Sequence, residues 1–94
     1  MNPMSKIIKQ EILIQNRKGL HARASAQVVK LAESFEAATY ICYQKMRVPA
    51  QSIMGLLMLG AGQGSLVRIE GEGCDAEQAV SALANLIDNK FGEG

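Results

Sequence analysis

Apolar and polar positions along this chain change their period several times, and each change marks an element. Residues 7–15 are rich in β-branched side chains, and Ile8, Ile12 and Ile14 share one face at period two, which predicts a strand. Gly19 breaks that run. Over residues 22–35 the spacing becomes helical: Ala24, Val28, Leu31, Ala32 and Phe35 form one apolar stripe, with Gln27, Lys30 and Glu33 off it. Residues 38–43, with Thr39, Tyr40, Ile41 and Tyr43, favour a second strand. Gln44 and Lys45 make a short turn, and residues 46–50 pair back as a third strand. Pro49 lacks a backbone donor, so that strand belongs at an edge or ends there.

Ser52 reads as the N-cap of a short helix over residues 53–59. That helix is apolar almost all round, through Ile53, Met54, Leu56, Leu57, Met58 and Leu59. A peripheral helix in a small domain cannot bury every side, so part of it is expected to be exposed as a partner surface. The alternative is a wholly buried core helix. Gly60, Gly62 and Gly64 end it in a flexible turn. Residues 66–72 then alternate, with Val67, Ile69 and Gly71 on one face and Arg68, Glu70 and Glu72 on the other, as in a half-buried antiparallel strand. Asp75 opens a last helix, with Gln78 in the capping-box position. Ala76, Ala79, Val80, Leu83, Leu86, Ile87 and Phe91 line its inner face, and Gly92 stops it. Residues 1–6 read as a frayed lead-in.

The predicted order is β-α-β-β-α-β-α. Elements with one apolar face pack as two layers, so the expected fold is α+β, with helices on one side of a four-stranded, mainly antiparallel sheet. The 94 residues suffice for one domain, residues 1–94, with one modest core. Lys and Arg number 10 and Asp and Glu 9, for a formal charge of +1, so neither charge nor any basic run points to nucleic acid. Cys42 and Cys74 have no metal-like spacing and read as free thiols of a reducing compartment, a disulfide being the alternative. Residues 1–5 carry no apolar stretch like that of a signal peptide, and no apolar run reaches membrane-spanning length. The expectation is a soluble cytoplasmic protein with no metal or cofactor.

The candidate chemistry lies in residues 16–26, where the strand gives way to the helix and where His21, the protein's single histidine, stands. Arg17, Lys18 and Gly19 precede it, and small residues with Arg23 follow. A helix N-terminus offers free N–H groups and partial positive charge, so it receives anions. An imidazole at such a place can carry a phosphoryl group, and a guanidinium fork matches phosphate oxygens. The plain alternative is a surface or capping histidine.

Three stretches together resemble HPr, the histidine-containing phosphocarrier family of the bacterial phosphoenolpyruvate-dependent phosphotransferase system. The first is Gly-Leu-His-Ala-Arg at 19–23, like the phosphohistidine motif. The second is Gln-Ser-Ile-Met-Gly-Leu-Leu-Met-Leu at 51–59, like the regulatory-serine segment. The third is the glycine-containing strand followed by residues 84–93. The resemblance covers residues 7–93 and implies an open-faced β-sandwich. It implies that His21 takes a phosphoryl group on Nδ1 from phosphorylated enzyme I and passes it to an EIIA-type protein, with Arg23 as phosphate partner. Such a protein is a covalently phosphorylated carrier rather than a stand-alone enzyme.

The resemblance also implies that Ile53, Met54 and Leu57, bordered by Ala22, Arg23 and Ala26, dock on donor and acceptor. It implies that Ser52 is a regulatory phosphorylation site where an HPr kinase/phosphorylase is present, and that the protein is a monomer. Ala24 stands where many members have proline, and Lys18 where many sugar-branch members have asparagine. The His-Ala-Arg-Ala-Ser form also occurs in the nitrogen-related branch, so sugar uptake and nitrogen or carbon regulation both stay open. A second reading is a Ser52-switched regulatory binding protein of the same fold, against which His21 counts. A third is a generic α/β module for a small ligand or nucleic acid, against which the near-neutral charge counts.

Overall fold

The computed structural model describes residues 7–93, so the lead-in expected over residues 1–6 lies outside the described residues. The elements are β1 (Ile7–Leu13), α1 (Ala22–Glu33), β2 (Ala38–Tyr43), β3 (Met46–Pro49), α2 (Ile53–Leu59), β4 (Leu66–Glu72) and α3 (Ala76–Asp88), followed by a 3₁₀ turn, Lys90–Gly92. The strands form one sheet in the order β1-β4-β2-β3, and every neighbouring pair is antiparallel. β3 is an edge strand and ends on Pro49, where a missing donor costs no ladder bond.

Register places Ile12 opposite Val67, and Ile41 opposite both Ile69 and Val48. These side chains meet Val28 of α1, Leu56 of α2, and Val80, Leu83 and Ile87 of α3 in one core. Ile8 and Ile12 are half-buried at its margin, and Ile14 is fully buried. A Cβ on Gly71 would come within 2.7 Å of Val80 Cγ2, so the absent side chain lets α3 lie close on β4. The layers match the arrangement expected from the pattern, helices on one side of a four-stranded antiparallel sheet, and the open-faced fold that the resemblance implies. Among the described residues no helix is long and apolar enough to cross a membrane. Cys42 and Cys74 are both free, the first buried and the second exposed.

Several boundaries differ from the expectation, each for a local reason. β1 stops at Leu13 rather than residue 15 because Ile14 pairs with the loop before β4, through Ile14 N–H to Ser65 O at 2.9 Å and Gly64 N–H to Ile14 O at 2.7 Å. α1 stops at Glu33, where the Ser34 hydroxyl donates to Leu31 O at 2.6 Å. Phe35 thus lies beyond the helix and packs with Ala37, Ala76 and Ala79. Asp75 stands at the start of α3 but makes no capping bond. Its carboxylate instead accepts from the amides of Glu36 (2.9 Å) and Ala37 (2.8 Å), tying α3 to the loop before β2. α3 ends at Asp88, so Phe91 is buried from the following turn and not from the helix.

Candidate functional site

β1 points its C-terminal end at a turn that leads directly into α1. In that turn Gly19 has φ +62°, and a Cβ there would lie 2.5 Å from Ala61 O and 2.6 Å from Gly62 Cα. Only glycine meets both the left-handed backbone and the close approach. Leu20 N–H then donates to Ala61 O at 3.0 Å, which staples the turn to the loop after α2. His21 N–H bends back to Gly19 O at 2.9 Å.

His21 is itself the N-cap of α1, so the capping alternative describes its position, but the cap uses an unusual group. The acceptor is its ring: Arg23 N–H donates to Nδ1 at 3.3 Å. A neutral imidazole has one donor and one acceptor nitrogen, so Nδ1 keeps its lone pair and the proton sits on Nε2. Nε2 lies 2.6 Å from Oε2 of Glu93. The ring is thereby held at both nitrogens, with Nδ1 facing the first-turn amides, which have no carbonyl partner within the helix.

The hydrogen bond from His21 holds the Glu93 carboxyl below its ordinary range, helped by a bond from Asn16 and the charge of Lys18. Asn16 is 1% exposed, and its amide donates to Glu93 Oε1 at 3.2 Å and to Gly19 O at 2.9 Å. Lys18, His21, Arg23 and Glu93 line an open cleft of about 450 Å³. A phosphate-sized anion would there meet two cations, helix amides and the lone pair of Nδ1.

The structure brings His21 and Arg23 to this cleft, as the motif suggested. Asn16 and Glu93 were missed. Asn16 had a faint signal, a polar turn-former three residues before Gly19. Glu93 had none, being 72 residues from His21 in sequence.

The second group of predicted residues lies on the adjoining helix. Ser52 caps α2, its hydroxyl accepting from Gly55 N–H at 3.0 Å. Leu56 and Leu59 of α2 are buried, whereas Ile53, Met54, Leu57 and Met58 are exposed, the two methionines by nearly 70% each (Met54 69%, Met58 68%). Partial exposure was expected, and Met58 joins the named set. α1 packs against α2, and its Ala22, Arg23 and Ala26 are exposed. Among the described residues no group of three or more His, Cys, Asp or Glu could hold a metal ion.

Residues 8–89 match the family model described as the PTS HPr component phosphorylation site. The phosphocarrier protein HPr of Cupriavidus necator is 44% identical over 88 residues, covering 94% of this chain and 99% of the relative. The phosphocarrier protein HPr of Neisseria meningitidis is 42% identical over 88 residues, with the same 94% and 99% coverage. Among solved structures, HPr from Thermoanaerobacter tengcongensis superimposes with a TM-score of 0.89 at 41% identity, covering 93% of this chain and 98% of that one.

Proposed function

The chain belongs to the HPr family of the phosphotransferase system, and from that membership we propose that it takes a phosphoryl group from phosphorylated enzyme I on His21 and passes it to an EIIA-type protein. It acts in the cytoplasm, in sugar uptake or in nitrogen and carbon regulation according to the acceptor. The observation that carries this reading is the state of the ring. Nδ1 holds a lone pair at a helix N-terminus, beside Arg23 and Lys18, while Nε2 is occupied by Glu93.

In the transfer, the Nδ1 lone pair bonds to phosphorus as the bond from phosphorus to the donor breaks, its electron pair leaving with the donor. The phosphoryl oxygens accept from the first-turn amides and from the Arg23 guanidinium. One exposed arginine and a few backbone donors give moderate stabilisation, which suits a group that must be handed on. Ile53, Met54 and Leu57, with Ala22 and Ala26, form the docking surface for donor and acceptor; flexible methionines let one surface fit several partners. Ser52 is a site at which a phosphate would be favoured by the helix terminus and would put charge inside that surface.

The test mixes the purified protein with its cognate enzyme I and phosphoenolpyruvate and follows intact mass. One added phosphoryl group is expected, lost in acid, kept in base, and missing from His21→Ala. No adduct with a demonstrably active enzyme I would overturn the reading.

A further inference from the structure

The two edges of the sheet are unlike. β3 has 4 residues and ends on Pro49, whereas β1 has 7, Ile7–Leu13, and no proline. A long edge strand is a template for another strand unless something blunts it. No residue of β1 is buried, and Ile7 (59% exposed) and Leu13 (44%) lie on the side of the sheet away from the helices. The ladder fixes which backbone groups point outward. Ile14, one residue beyond β1, commits both its N–H and its C=O to the loop before β4. Antiparallel ladders alternate between bonded and non-bonded positions. Ile8, Gln10 and Ile12 therefore bond towards β4, and the N–H and C=O groups of Ile7, Lys9, Glu11 and Leu13 point to the free edge.

We propose that this edge pairs with the same edge of a second copy of the chain, antiparallel, about a two-fold axis at Gln10. The run Ile-Ile-Lys-Gln-Glu-Ile-Leu at 7–13 is self-complementary in that register. Ile7 faces the second copy's Leu13, Ile8 its Ile12, Lys9 its Glu11, and Gln10 its Gln10. Directly opposite residues share a face of the sheet, so apolar meets apolar and each ammonium group meets a carboxylate. The outward groups belong to odd-numbered residues, and this register sets odd against odd, so the hydrogen bonds close on both strands. A slip of one residue sets an outward residue against one already bonded to β4. A slip of two sets Lys9 on Lys9 or Glu11 on Glu11, and like charges directly opposite are destabilising. Of these registers only the one centred on Gln10 satisfies backbone, apolar pairs and charge together. The two four-stranded sheets then run on as one. The seam lies far from the exposed face of α2, because α2 packs on β3 at the other edge. A contact of 7 residues from each copy falls in the small class of interface, below about 1,200 Å², which associates transiently. The dimer is thus the concentrated form, and the monomer prevails on dilution.

Sedimentation velocity of the full-length protein from micromolar to millimolar concentration tests this. The wild type is expected to pass from monomer to dimer across that range. Lys9→Glu sets carboxylate against carboxylate at both charged positions of the seam, and Glu11→Lys sets ammonium against ammonium. Each variant alone is expected to stay monomeric, its association weakened at least about tenfold. Mixed in equal amounts, the two variants are expected to pair with each other, since the carboxylates of one face the ammonium groups of the other. Both positions are exposed, and melting curves check that each variant is folded. A wild type that stays monomeric at millimolar concentration would overturn the proposal, as would folded variants that fail to pair when mixed. Single variants that dimerise like the wild type would place the contact on another face, such as α2, and overturn it too. A dimer that survives dilution for hours would mean that β1 is exchanged between copies, which is equally incompatible with edge pairing.

Discussion

Glu70 lies on the open side of β4, away from the helices, yet it is 8% exposed. Arg47 Nε donates to its carboxylate at 3.1 Å and Arg68 Nε at 2.8 Å, and the Arg47 guanidinium lies 3.6 Å from the centroid of the Tyr40 ring. Burial works against the charge on Glu70, but the two guanidinium bonds outweigh it and hold the carboxyl below its ordinary value of 4.5. A carboxyl depressed in the folded state adds stability that is present above the ordinary value and is lost as pH falls through the lower folded one. Thermal unfolding should thus show the wild type losing stability on acidification below about pH 4.5. Glu70→Gln should be less stable by about 1 kcal/mol at neutral pH and lose less on acidification. Parallel pH profiles for the two proteins would contradict this. The alternating pattern put Glu70 on the correct face but could not foresee its cover, because Arg47 lies on β3. The same limit explains the site. His21 and Arg23 were legible because a reactive side chain, a glycine and a helix start stood together. Glu93 was not, because its placement depends on a left-handed turn in which two of the three residues carry side chains.

At the scale of the element, α2 separates two functions on one short cylinder. Leu56 and Leu59 face the core, while Ile53, Met54, Leu57 and Met58 face out. Exposed substitutions away from special features change stability by less than about 0.5 kcal/mol, whereas truncating a buried leucine costs about 2–5 kcal/mol. The double change Met54→Ser with Leu57→Ser should therefore leave the melting temperature nearly unmoved and weaken binding to enzyme I by at least about tenfold, the scale of a lost apolar anchor. Leu56→Ala should do the reverse, melting early while its folded fraction binds normally. Unchanged affinity in the double variant would remove α2 from the docking surface. The sequence made this split readable in outline, since a helix apolar all round cannot be buried all round in a domain this small. The ends of elements were less readable. α1 stops where the Ser34 hydroxyl takes the Leu31 carbonyl, and Asp75 gives its oxygens to Glu36 and Ala37 rather than to its own helix. In both cases the alternative partner was equally compatible with the local pattern.

At the scale of the molecule, layering followed from the pattern because each apolar face needs a cover and the three helices supply it on one side. Strand order did not follow, since the pairing of β4 between β1 and β2 joins segments far apart in the chain. That pairing nevertheless creates the site. It sets the end of β1 beside the loop before β4, where Ala61 O receives Leu20 N–H, while α3 returns its C-terminal turn to the same end. Three distant segments therefore converge on one histidine and leave Nδ1 facing solvent and the helix amides. A carrier must release what it accepts, so the most direct measurement isolates the phosphorylated protein, mixes it with its cognate EIIA-type partner in the absence of enzyme I and phosphoenolpyruvate, and follows both intact masses. The account predicts that the phosphoryl mass leaves this protein and appears on the partner, and that no transfer occurs from His21→Ala preparations. A phosphoryl group that stays in place, or is lost only to water, would contradict it.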